Sequence, residues 1–114
     1  MKKDPLTLVQ DILECIDRIE HYFKGVSMGA FLEEFQLQDA VIRRIEIMGE
    51  ASKNIPQAVR NRYPQVEWKA MVATRNILVH AYDEVRLEAV WRIAKKDLPV
   101  LKKQLLGIEK DLSD

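Results

Sequence analysis

The sequence predicts an all-α fold, an antiparallel bundle of four to five helices, on three observations. Apolar residues recur at helical spacing through most of the 114 residues. Gly and Pro number only four each, so few points break a helix. No stretch alternates apolar with polar as a half-buried strand would. Hydrophobic residues make up 47% of the chain, enough for a single core, which predicts one domain spanning residues 1–114.

The first helix is marked at both ends. Asp4 suits the N-cap, Pro5 the first helical position, and Gly25 the position just past the end. Its core stripe is Leu6, Val9, Ile12, Leu13, Ile16, Ile19 and Phe23. His21 falls on the opposite, solvated side. Ser27 caps a short turn or helix through Phe31 and Leu32. A long second helix is expected from about Phe35 to Ile55, before Pro56, with Ala40, Val41, Ile45, Met48 and Ser52 on one face. Gly49 inside it costs about 1 kcal/mol against Ala, which fits either close approach by another backbone or a tolerated surface glycine. Residues 56–66, with Pro56, Tyr63 and Pro64, read as a short helix and an extended link. A third helix follows from about Glu67 to Tyr82. A fourth begins near Arg86, with Ala89, Val90, Ile93, Leu98, Leu101 and Leu105 as its stripe and a kink expected at Pro99. Trp68 and Trp91 fit core positions on these helices.

Charge narrows the functional classes. The chain balances 18 basic against 18 acidic residues, but unevenly along its length. Positions 1–50 hold six basic and ten acidic residues, a net of −4, and positions 51–114 hold twelve and eight, a net of +4. Generic duplex binding needs a strongly basic surface, so any nucleic-acid contact must be local and on the second half. Lys95-Lys96 and Lys102-Lys103 fit a wet face or a track for a nucleic-acid backbone. Cys15 is the single cysteine and can form no internal disulfide, so a reducing cytoplasm is expected. No apolar run approaches the roughly 18 residues of a membrane span. Zinc-ligand spacing and nucleotide-cradling glycine loops are missing from the sequence, so no metal and no cofactor is expected. Glu46 and Glu50 fit surface acids or partners of Arg43 better than a catalytic pair.

The richest segment is Arg75-Asn76-Ile77-Leu78-Val79-His80-Ala81-Tyr82. Arg grips a phosphate as a bidentate fork, and His moves protons near neutral pH. At roughly 100° per residue, Thr74, Ile77, Leu78, Ala81 and Val85 share a core arc. Arg75, Asn76, His80, Tyr82 and Asp83 share the opposite one, with Val72 and Val79 among them. Valines amid polar groups suggest a covered face, and a second copy of the chain is the simplest cover. Cleaving RNA through its 2′-hydroxyl needs a base, an acid and positive charge at the phosphorane, which two facing motifs would supply. Taken alone, Arg-x4-His fits equally a surface Arg with a hydrogen-bonded interior His, and Tyr82 fits a half-buried packing residue.

Arg75, His80 and Tyr82 match without a gap the Arg-x4-His-x-Tyr pattern of the HEPN superfamily's HepT-like branch, which this segment resembles. The resemblance extends over nearly the whole chain. Asp39-Ala40-Val41-Ile42-Arg43 and Ile47-Met48-Gly49-Glu50-Ala51 resemble the family's long helix, and Asp97-Leu98-Pro99-Val100-Leu101 its last one. It implies a homodimer with the motif at the dimer cleft and a metal-independent endoribonuclease toxin of a toxin–antitoxin pair. Arg75 and His80 would be catalytic, Asn76 and Tyr82 supporting. It further implies a minimal nucleotidyltransferase antitoxin that attaches AMP to Tyr82, placing phosphate where RNA would bind. Family members often carry Phe-Gly-Val after the tyrosine, whereas this chain has Asp83-Glu84-Val85. The alternative is a non-catalytic nucleotide- or RNA-binding subunit of that nucleotidyltransferase. A third reading is a helical interaction module in which His80 is only structural.

Overall fold

The computed structural model describes residues 3–80 and 86–114, with side chains described for all of these except 75–80. Helices α1 (Pro5–Phe23), α3 (Phe35–Asn54), α5 (Trp68–His80) and α7 (Leu98–Ser113) form the bundle. Shorter helices α2 (Met28–Glu33), α4 (Gln57–Arg62) and α6 (Leu87–Arg92) connect them, and a π-helical segment, Ile93–Asp97, joins α6 to α7. The described residues contain no strand. No helix among them is long and apolar enough to cross a membrane.

Helix α1 starts and stops where its sequence says. The Asp4 carboxylate accepts the Thr7 amide at 2.8 Å, and Gly25 adopts φ +73°, the left-handed conformation that frees the chain to turn. That accepted bond holds the Asp4 carboxyl below its ordinary pKa. The expected stripe is buried apart from half-buried Leu6, and Leu8 and Cys15 widen it. His21 is exposed. Ser27 caps α2 by accepting the Ala30 amide at 3.1 Å.

Helix α3 is buried over more of its circumference than one face, because α1 and α5 both pack on it. Val41, Ile45, Met48 and Ser52 are buried as expected, Ala40 only half so, and Ile42, Gly49 and Ala51 join them. Gln38, also buried, donates its amide to the Phe31 carbonyl at 2.9 Å and ties α2 to α3. Arg43 pairs with Glu46 at 3.6 Å.

Helix α7 runs antiparallel to α1. Lys95 lies near Phe23 at the end of α1, and Lys102 bonds Asp17 and Glu20 one to two turns earlier. The kink expected at Pro99 takes a specific form. Proline has no N–H for the helix ladder, and the chain meets it with a π-turn over Ile93–Asp97, where the Leu98 amide bonds the Ile93 carbonyl. The inserted residue rotates what precedes it, so the stripe differs from expectation. Val90, Ala94, Leu98, Leu101, Leu105 and Ile108 are buried, Ile93 is half-buried, and Ala89 is exposed.

Candidate functional site

Three contacts fix where α5 begins. Trp68 is buried, and its indole N–H donates to the Tyr63 carbonyl at 3.0 Å. The Tyr63 hydroxyl donates to Asp111 at 3.3 Å, and the Gln104 amide donates to the Gln65 carbonyl at 3.1 Å, both on α7. The link between α4 and α5 is thereby pinned to the last helix. Val72, Thr74, Ile77 and Val79 are β-branched and weak helix formers, so α5 relies on packing against α3.

The orientation of its first two turns bears on the expected arcs at Val72 and Thr74, the other members lying outside the described side chains. Trp68 is buried, Met71 and Val72 are half-buried, and Lys69, Ala70 and Ala73 are exposed. Met71 sulfur lies 3.3 Å from the hydroxyl of Ser52 on α3, which itself donates to the Met48 carbonyl at 2.8 Å. Val72, assigned to the polar arc, is thus partly covered within its own chain, and it does not by itself demand a second copy. Thr74, assigned to the core, is only half-buried; its hydroxyl donates back to the Ala70 carbonyl at 2.8 Å. Arg75 follows Met71 by four residues and Val72 by three along α5.

Arg75, Asn76 and His80 all lie on this one uninterrupted helix. His80 lies five positions after Arg75, a rise of about 7.5 Å along the axis. The side chains of Ile77, Leu78 and Val79, and residues Ala81, Tyr82, Asp83, Glu84 and Val85, lie outside what the structure describes.

Beside α5 runs an open groove of about 470 Å³. Ile45 and Met48 of α3, Thr74 of α5 and Val100, Leu101 and Gln104 of α7 are among its walls. The groove reaches Thr74, the residue before Arg75. Glu67 and Asp97 also line it, so the groove is mainly apolar with acidic groups at its edge. The sequence reading missed this feature, because it depends on α5 and α7 standing apart while both pack elsewhere.

The family model described as Ribonuclease HepT-like matches residues 12–108, which include Arg75, Asn76, His80 and Tyr82. A Methanocaldococcus jannaschii protein named "Gamma-glutamylcyclotransferase and putative RNase" is 44% identical over 112 residues, covering 98% of this chain and 50% of that protein. The chain therefore spans half the length of that relative. "Probable ribonuclease HepT" of Thermococcus cleftensis is 39% identical over 102 residues, covering 90% of this chain and 93% of the relative. No solved structure gives a significant match. This all-helical chain carries its one Arg-x4-His motif on α5, and it belongs to the HepT-like ribonuclease family.

Proposed function

We propose that this protein is a metal-independent endoribonuclease, the toxin of a toxin–antitoxin pair, acting in the cytoplasm as a homodimer. The observation that carries the reading is the family match across Arg75 and His80 on a single helix. A phosphodiester cleaved by its own 2′-hydroxyl needs proton removal, proton donation and charge neutralisation together. One chain supplies one motif Arg and one motif His, so two motifs facing across a two-fold axis complete the set. Arg75 binds and neutralises the scissile phosphate, and the two His80 copies exchange protons with the attacking and leaving oxygens. Asn76 orients His80 or the phosphate.

The antitoxin in this reading is a minimal nucleotidyltransferase that attaches AMP to Tyr82. The added phosphate competes with RNA for Arg75 by charge and bulk. The test is to incubate wild type, Arg75→Ala and His80→Ala with total RNA in the presence of a chelator. Cleavage by wild type alone supports the reading, and equal cleavage by all three removes the catalytic assignment. In a second reading, a non-catalytic nucleotide- or RNA-binding subunit of the nucleotidyltransferase, Arg75 is only an anion anchor, and Asp83 and Glu84 bear on substrate preference and rate. Two acids directly after Tyr82 oppose phosphate at that point. Tight nucleotide binding with every RNA left intact would select it.

A further inference from the structure

The pairs Lys95-Lys96 and Lys102-Lys103 look alike in sequence, and the fold separates them. The Lys95 ammonium lies 4.9 Å from the Trp91 ring centre and 5.5 Å from that of Phe23. Lys102 bonds Asp17 at 3.1 Å and Glu20 at 3.2 Å on α1, and these partners raise its pKa. Lys102 thus ties α7 to α1, and Lys95, though exposed, is engaged over the rings of Phe23 and Trp91. Lys96 and Lys103 are exposed, and so is Lys110. None of the three makes an ion pair among the described residues. Lys103 and Lys110 lie seven residues apart on α7, nearly two helical turns, in one row with a step of about 10.5 Å, and Lys96 precedes Lys103 by the same seven residues from within the π-turn.

This row has neighbours that fit a linear anion. Val100 and Gly107 lie between the lysines. Val100 is 60% exposed, and Gly107 faces open space. Val100 is also part of the groove wall, across from Thr74 and the motif helix. The carboxylates Glu67 and Asp97 stand at the edge of the groove, so an anionic strand is repelled from it and meets positive charge on the outer ridge instead. Lysine acts as a point charge without a preferred base partner, which suits backbone tracking and not sequence readout. A lipid surface fits less well, because α7 buries Leu98, Leu101, Leu105 and Ile108 in the core and exposes only Val100 and Leu106 among its large apolar side chains, too little to seat in a bilayer.

We propose that Lys96, Lys103 and Lys110 form a ridge that binds the RNA backbone and leads the strand toward the motif helix. The proposal rests on the ribonuclease reading for its substrate but not for its geometry. The test uses the full chain carrying His80→Ala, so that RNA survives, and a labelled single-stranded RNA of mixed sequence. Binding is followed by fluorescence anisotropy across a salt series. Each single-strand phosphate contact contributes a slope of about −0.7 in log K against log salt. Replacing Lys96, Lys103 and Lys110 by Gln is therefore expected to flatten the slope by about 2 and weaken binding at low salt by at least about tenfold. Replacing Lys95 and Lys102 by Gln should leave the slope unchanged while lowering the unfolding temperature.

In the His80-containing protein the ridge variant should raise KM and leave kcat in place. Unchanged binding and slope in the ridge variant overturn the proposal even if the protein cleaves RNA. An equal loss in the Lys95 and Lys102 variant overturns it too. So does a ridge variant that releases anionic vesicles yet holds RNA as before. RNA bound through the ridge but never cut would sink the nuclease reading and leave the ridge standing.

Discussion

Replacing Phe31 with Ala tests the packing that holds the chain on either side of the motif. Phe31 is wholly buried, its ring edge-on to Phe23 at 5.1 Å and tilted against Trp91 at 5.9 Å. Phe23 and Trp91 meet in turn at 4.9 Å. The cluster joins the end of α1, the short helix α2, and α6, the first helix after the motif segment. Truncating a buried Phe costs about 3–5 kcal/mol, and two lost ring pairs of about 0.5–1.5 kcal/mol each favour the upper end of that range. Domains of this kind are stable by only about 5–15 kcal/mol. The variant should therefore lose about 4 kcal/mol and unfold roughly 15 °C lower. Urea unfolding followed by far-UV circular dichroism measures this, with the slope of the transition unchanged. Phe35→Ala is the matched control. Phe35 is 77% exposed, and its loss should cost less than about 0.5 kcal/mol. A cost below about 1 kcal/mol for Phe31→Ala would mean that α2 does not carry the cluster as described.

Three further outcomes follow from the same reasoning. Gln38→Ala leaves the Phe31 carbonyl with only the Glu34 amide at 3.3 Å, and should cost about 1–2 kcal/mol in the same urea assay. Burial holds the Cys15 thiol above its ordinary pKa, against a smaller opposing pull from Arg44. The folded state then keeps a proton that the unfolded chain releases, so stability is intact below the unfolded thiol pKa of about 8.5 and falls as pH rises past it. Cys15→Ala should remove that part of the alkaline loss, measured as the difference in urea midpoint between wild type and variant on either side of that pH. Ser52→Ala deletes a fully buried hydroxyl that bonds the Met48 carbonyl and touches Met71, and should shift the urea midpoint by the equivalent of about 1 kcal/mol.

Much of the fold is written in local signals. Asp4, Pro5 and Gly25 mark α1, and Ser27 marks α2, because caps and left-handed glycines act within one turn of chain. The α1 stripe is equally plain, since one helix face meets one core. Reading was poorer wherever two partners compete for a helix. Helix α3 is packed by both α1 and α5, so Ile42, Gly49 and Ala51 are buried beyond the face made by Val41, Ile45, Met48 and Ser52. Val72 near the start of α5 is half-buried within its own chain, which the pattern of valines among polar groups did not show. Pro99 announced a kink, but the choice of a π-turn depends on how α6 and α7 dock together. The motif itself needed no tertiary information, because Arg75, His80 and Tyr82 match a contiguous pattern. The lysine ridge was half legible. Seven-residue spacing of Lys96, Lys103 and Lys110 is in the sequence, but only Asp17, Glu20, Phe23 and Trp91 show which lysines the fold already uses.

The most direct test of the catalytic account is RNA cleavage by purified wild type, Arg75→Ala and His80→Ala in a chelator, with unfolding temperatures measured on the same samples. The account predicts that each substitution lowers the cleavage rate by at least about a hundredfold, with folding intact. Wild-type rates in either variant, or a loss of rate matched by a loss of folding, would contradict it.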